Sequence, residues 1–171
     1  MRLLNSNRNK IIFLLIITLL IFIGWQIGYE AIHARILAWF TNGLLKISGS
    51  HKIIKYEISD RVPIFMVYEL IRGKGTRFPQ EIGPILQPTV ILLAWQLFLF
   101  FVLSLKQAFR LVLINFGIFL ALQVFFLVQL TGYHASSVHK FLYSLMVDSF
   151  YIIALILVIK DTLFYPVFRK K

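Results

Sequence analysis

Four long apolar runs divide the chain, and each approaches the length of about 20 residues that an α-helix needs to cross the hydrocarbon core of a membrane. They cover about residues 11–29, 85–105, 111–130 and 141–159. A backbone in lipid has no water to bond, so its N–H and C=O groups must be satisfied within the segment. The pattern therefore predicts four transmembrane helices.

The segment between the first two runs, about residues 30–84, has the mixed polarity of a small module outside the membrane. Over Tyr29–Ser48 apolar residues recur at near-helical intervals, which predicts an amphipathic helix that continues the first span or lies on the membrane surface. Its regular apolar positions are Ile32, Ile36, Phe40, Leu44 and Ile47. After Ser48-Gly49-Ser50 the period falls to two residues, and a short two-stranded element is predicted over Ile53–Ile71.

These elements define the predicted fold class, an all-α membrane protein. It is a four-transmembrane-helix bundle, with a small mixed extracytoplasmic module between helices 1 and 2. Composition agrees, because 59% of the 171 residues are hydrophobic and only 15% are charged, whereas a soluble domain is about 45–50% apolar and 25% charged. A water-soluble enzyme and a disordered tail are both excluded.

The formal net charge of +11 is explained by the flanks of the spans, so we infer no nucleic-acid partner. Segments 1–10, 106–110 and 160–171 hold 9 basic residues in 27, with Asp161 as their one acid. The other side holds 9 basic residues in 67, offset by 5 acids. Since Lys and Arg concentrate on the cytoplasmic side, both termini are predicted to be cytoplasmic. The first run has no good small-residue cleavage site and is predicted to remain as an anchor.

No motif for catalysis, cofactor or metal is complete, so none is predicted. The chain has no Cys. Gly73-Lys74-Gly75-Thr76 lacks the earlier glycine of a phosphate loop, and the histidines at 33, 51, 134 and 139 lack metal spacing and are interpreted as solvent or interface residues. A Ser137–His139–Asp148 triad fails, because nine helical residues separate its His and Asp by about 180°. The basic side chains predicted to face lipid headgroups are Arg72, Lys74 and Arg77.

Four polar residues inside the predicted spans are the candidates for binding a partner: Gln96, Asn115, Gln123 and Asp148. If spans two and three pack antiparallel, Gln96 and Gln123 are predicted to lie at similar depth and to pair. Asp148 has three possible environments: a protonated acid bonded to Gln96 or Gln123, a water-filled crevice, or a basic residue on a partner's membrane helix. Gly24-x-x-x-Gly28 fits close helix packing, but this spacing also arises by chance.

The order of the segments resembles that of a known family. An N-terminal span precedes a compact outside segment, a proline-rich return over Phe78–Pro88, a hairpin with a short basic loop, and a last span with a basic tail. This layout is similar to that of small membrane proteins associated with exosortases, accessory proteins of the bacterial system that processes and anchors surface proteins. Exosortases are implied to use membrane-embedded Cys, Arg and His, so the absence of Cys rules out carrying over the transpeptidase role.

The sequence thus favours a non-enzymatic accessory subunit of an envelope protein-sorting or export complex, in contact with membrane lipids and with an exosortase-like or other envelope protein. It would be a multi-pass protein of the bacterial inner membrane. The alternative is a membrane enzyme acting on a lipid or lipid-linked substrate at the outer face. Its candidate polar groups are not joined by a motif: Glu30, His33, Glu57, Asp60, His134 and His139. A transporter or channel is disfavoured, because we find no inverted repeat.

Overall fold

A computed structural model describes residues 6–59, 62–71, 74–81, 83–133, 136–147, 149–165 and 167–168. It is mostly helical, with one small antiparallel sheet. The helices are α1 (Asn7–Gly24), α2 (Glu30–Ile47), α3 (Gly83–Leu86), α4 (Pro88–Val102), α5 (Leu105–Leu130), α6 (Ser137–Val147) and α7 (Ser149–Phe164). The strands are β1 (Ile53–Ser59), β2 (Val62–Ile71) and β3 (Lys74–Glu81).

A sharp bend separates α1 from α2. The two helices are joined by a π-helical turn over Trp25–Tyr29, in which Gly28 has φ = 146°. Only glycine adopts such an angle without strain. A Cβ on Gly24 would lie 2.5 Å from the ring of Tyr29. Both glycines therefore shape the bend within this chain.

The amphipathic helix predicted over Tyr29–Ser48 is present as α2. Its regular apolar positions, such as Ile36 and Leu44, are exposed. Its opposite face packs against α5 and buries both apolar and polar side chains, among them His33, Leu37 and Leu45. Because a regular apolar face is nevertheless left exposed, the helix suits an outer surface in contact with hydrocarbon.

The sheet has the order β1-β2-β3, with antiparallel neighbours. The prediction of two strands over Ile53–Ile71 is correct, but a third strand, β3, follows where the sequence suggested only a proline-rich return. Its residues do not alternate in polarity, so periodicity could not identify it. The strand forms by pairing with β2, where Met66 is opposite Pro79, and a proline is tolerated because β3 is at an edge.

The described residues of the four predicted apolar runs are mostly helical. By length and composition, three helices could cross a membrane: Asn7–Ile47, Gly83–Val102 and Leu105–Leu130. The predicted fourth run is divided between α6 and α7, which are bent by 47° and together could form a further span. Pro88 lies at the first position of α4, where a proline costs no helical hydrogen bond.

Three distant parts of the chain meet at one end of the bundle. Asn7 Nδ2 donates to Phe168 O at 2.7 Å, and Lys10 Nζ donates to Val167 O at 2.5 Å. The rings of Phe13 and Phe101 contact each other edge to face at 5.0 Å. The sheet is attached to the other end, because Lys52 Nζ donates at 2.6 Å to Thr131 O, just beyond α5.

Candidate functional site

The first buried polar cluster, which we call the Asp161 network, consists of Trp95, Gln96, Asn115, Lys160 and Asp161. Asp161 is completely buried on α7. Its Oδ2 accepts hydrogen bonds from Asn115 Nδ2 at 2.7 Å, Trp95 Nε1 at 3.0 Å and Gln96 Nε2 at 3.3 Å. Three N–H donors aimed at one oxygen are the partners of a carboxylate, which can only accept.

Lys160 completes the Asp161 network. Its Nζ lies 3.3 Å from Asp161 Oδ1 and also donates to Asn115 Oδ1. The lysine, the aspartate and the amide therefore form a closed ring of contacts between α5 and α7. A buried carboxylate requires such pairing, because its desolvation costs several kcal/mol.

The sequence interpretation missed this cluster, since it assigned Lys160 and Asp161 to a solvated flank beyond residue 159. The solvated position was wrong for Asp161, because α7 continues to Phe164 and the aspartate side chain is buried. An available signal was the apolar stretch Leu163–Phe168, which continues after the charged pair. Asp161 is completely buried rather than exposed.

The second cluster, which we call the His33 network, consists of His33, Thr89, Gln123 and the carbonyl group of Ile85. His33 Nε2 lies 3.0 Å from Gln123 Oε1 and 3.3 Å from Thr89 Oγ1. Gln123 Nε2 donates to Ile85 O at 2.7 Å and to Thr89 Oγ1 at 3.2 Å. Since an amide oxygen can only accept, His33 Nε2 carries the proton.

The interpretation of His33 as a solvent or interface residue was wrong. Its side chain is only 7% exposed, and its ring lies 5.8 Å from that of Trp25 and 6.0 Å from that of Phe116. The bend at Gly28 turns α2 back over α5, and this brings His33 to Gln123, 90 residues later. A local sequence pattern could not predict this contact between residues so far apart in the chain.

Gln96 and Gln123 do not pair with each other. Gln96 belongs to the Asp161 network and Gln123 to the His33 network. The α4–α5 hairpin turns near Ser104, so Gln123 lies about 11 residues farther from the turn than Gln96. At about 1.5 Å per residue, the two amides differ in depth by about 16 Å. The predicted common depth is therefore wrong.

The other predicted candidates have mixed outcomes. Asn115 is completely buried in the Asp161 network. Asp148, Arg72, Asp60 and His134 lie outside the described residues, as does the side chain of Lys74. Arg77 is described and is exposed on β3.

Polar groups of the sheet are also paired. Tyr68 Oη donates to Glu57 Oε1 at 2.6 Å, and this hydrogen bond raises the pKa of the Tyr68 phenol. Lys52 Nζ lies 3.0 Å from Glu69 Oε1. Glu57 and His33, both offered for outer-face chemistry, are thus bonded to separate partners. Among the residues that the structure describes, no three His, Asp or Glu side chains form a group that could hold a metal ion.

The described surface also contains an open cavity of about 960 Å³ between α2 and α5, which we call the α2–α5 groove. Its lining is almost entirely apolar and includes Trp39, Gly43 and Lys46 from α2 and Gly117, Ala121 and Val124 from α5. Neither polar network lines it. The arrangement therefore separates polar groups, which join helices inside the bundle, from an apolar recess that is open to the outside.

Comparisons with protein-family models, with curated proteins and with solved structures give no match for this chain. The geometry above is therefore the basis for any functional statement.

Proposed function

We propose that this protein is a non-enzymatic accessory subunit of a bacterial envelope protein-sorting or export system of the exosortase type. The observation that carries the proposal is the difference between the interior of the protein and its surface. The described intramembrane polar groups are bonded mainly to one another, whereas large apolar faces and the α2–α5 groove remain open. Such a molecule is suited to packing beside other membrane components more than to acid–base chemistry on a substrate.

The proposed location is the inner membrane, with several spans and with both termini in the cytoplasm. Support comes from the dense basic residues of segments 1–10, 106–110 and 160–171. Contacts such as Asn7 with Phe168 also bring the beginning and end of the described chain together. Reporter fusions at Lys171 and near Gly75 should therefore report opposite compartments. A cytoplasmic signal from the fusion near Gly75 would overturn this orientation.

The proposed partner is an exosortase-like or other envelope membrane protein, and Asp148 is the candidate contact. Its predicted position is in the last apolar run, where a carboxylate needs a partner. Asp161 Oδ2 already accepts three hydrogen bonds from side chains of this chain, and Lys160 Nζ lies 3.3 Å from its Oδ1. A basic residue of the partner's helix would then pair with Asp148.

The test is recovery of the partner from mild detergent with wild-type protein, Asp148→Asn and, as a control, Ser144→Ala. Ser144 is an exposed residue of α6. Removing the charge from Asp148 should abolish co-purification while leaving the amount of membrane-inserted protein unchanged, because the partner's cation would be left unpaired. Equal recovery with all three proteins would refute the ion pair. Recovery of no envelope protein by wild type would refute the accessory role.

A second candidate function is a membrane enzyme acting on a lipid or lipid-linked substrate at the outer face. The open α2–α5 groove favours it, because an apolar chain could enter there. Gene neighbourhood separates the two candidates. Genes for an exosortase or for sorted surface proteins beside this gene would support the accessory subunit, whereas a lipid-biosynthesis cluster would support the enzyme.

A further inference from the structure

Small residues on both walls create the α2–α5 groove. Gly43 of α2 and Gly117 of α5 line it, together with Ala121. A Cβ built on Gly43 or Gly117 would meet nothing within 4 Å. Neither residue has a positive φ, so neither glycine is needed for backbone conformation. The two glycines leave space that larger side chains would have filled.

One edge of the groove is positively charged. Lys46 lies in the last turn of α2 and lines the groove beside Asn42 and Ser48. The Asn42 carboxamide is occupied by the backbone of Ile54, and Ser48 Oγ donates to Leu45 O. Among the described side chains, no carboxylate forms an ion pair with Lys46. Its ammonium group is therefore the charge that an incoming ligand would meet.

Trp39 indicates how the groove is oriented. It lines the groove while 71% exposed, and its ring packs edge to face on Phe40 at 4.9 Å. Exposed Trp and Lys side chains concentrate at the level of lipid headgroups, where an apolar body and a polar tip are both accommodated. The Lys46 edge thus fits the headgroup level, and the apolar walls extend from it.

The size of the groove favours hydrocarbon chains over a helix. Its volume of about 960 Å³ is at the upper end of the range of roughly 300–1,000 Å³ for small-molecule sites. A transmembrane helix of 20 residues, about 11 Å wide and 30 Å long, occupies roughly 2,800 Å³. A whole helix could only lie across the open side of the groove, whereas flexible chains can follow its walls.

We propose that the α2–α5 groove binds an anionic phospholipid of the surrounding membrane, with its acyl chains against Gly43, Gly117 and Ala121 and its phosphate beside Lys46. The site is separate from both polar networks and does not depend on the proposed accessory role. The bound lipid bridges α5 and α2, the helix whose regular apolar face is exposed.

Native mass spectrometry of the full-length protein tests the site. Protein released from nanodiscs with equal amounts of phosphatidylglycerol and phosphatidylcholine should retain a phospholipid, with phosphatidylglycerol preferred. Gly43→Leu combined with Gly117→Leu should abolish retention, because the leucines fill the groove and favour the helices that contain them. Ser144→Leu adds the same bulk on exposed α6 and should retain lipid as wild type does.

Lys46→Gln tests the headgroup contact. It should lower the preference for phosphatidylglycerol about fivefold, as expected for one basic residue near anionic lipid, while total retention persists. Lys106→Gln, at the other end of the bundle, should leave the preference unchanged. Equal effects of the two lysine variants, or undiminished retention by the double leucine variant, would refute the site.

A photoreactive residue at Ala121 identifies the occupant in cells. A mass increase equal to one phospholipid is expected. An adduct with a protein would overturn the proposal in favour of a partner helix.

Discussion

The Asp161 network and the His33 network are built on the same hairpin but differ in charge. In each, α4 and α5 contribute polar side chains, and a third helix contributes an ionisable residue: Asp161 from α7 or His33 from α2. The first contains a buried carboxylate and its lysine, whereas the second can be satisfied by neutral groups. The α4–α5 hairpin thus holds a different helix at each end, and the charged end depends on a complete set of partners.

The largest effect is expected from breaking the charged network. Asp161→Ala leaves three N–H donors without their acceptor and Lys160 without its carboxylate, so we expect a loss of about 3 kcal/mol in the free energy of unfolding. This value is at the lower end for a buried pair because the Lys160 side chain is 32% exposed. Denaturant titration in detergent micelles would measure it.

A double variant is the control for that prediction. Lys160→Met with Asp161→Leu removes both charges, and such apolar replacement of a buried pair is often neutral or stabilising. It should therefore be more stable than Asp161→Ala alone. A loss below about 1 kcal/mol for Asp161→Ala would mean that the carboxylate does not require these partners.

A smaller effect is expected from the neutral network. Gln123→Leu removes the amide shared by His33, Thr89 and the Ile85 carbonyl, and unsatisfied buried groups cost about 1–3 kcal/mol. Gln129→Leu makes the same change on α5 outside the network and should alter the free energy of unfolding by less than about 0.5 kcal/mol. Equal losses from the two variants would show that Gln123 is not specially placed.

The smallest loss of stability is expected from removing one hydroxyl group of the His33 network. Thr89→Val keeps the shape of the side chain but removes its hydroxyl group, and interhelical hydrogen bonds in membranes average about 0.6 kcal/mol. Thr18→Val is the matched change, since Thr18 Oγ1 donates only to Leu14 O of its own helix. Thermal unfolding of both should show a loss only for Thr89→Val. A loss as large as that of Asp161→Ala would contradict the distinction between the networks.

Much of the helical architecture could be predicted from local pattern. The apolar runs, the amphipathic helix α2 and the strands β1 and β2 follow from periods of 3.6 and 2 residues, which neighbouring residues define among themselves. β3 has no such period. Its existence depends on pairing with β2, so only the assembled sheet reveals it.

The candidate site could be predicted only in part. Gln96, Asn115 and Gln123 stand out as polar residues in apolar runs, and the structure places all three in buried networks. Their partners could not be assigned, because Asp161 lies 66 residues after Trp95 and His33 lies 90 residues before Gln123.

By itself, the sequence determined which segments are helical and apolar enough for a membrane, since hydrophobic period and length are properties of a continuous stretch. Only the tertiary structure decided which polar residues meet, that Asp161 is enclosed, and that a groove opens between α2 and α5. The physical reason is that hydrogen-bond partners and open space are set by how helices cross. Those crossings depend on features such as the bend at Gly28, whose direction no single segment encodes.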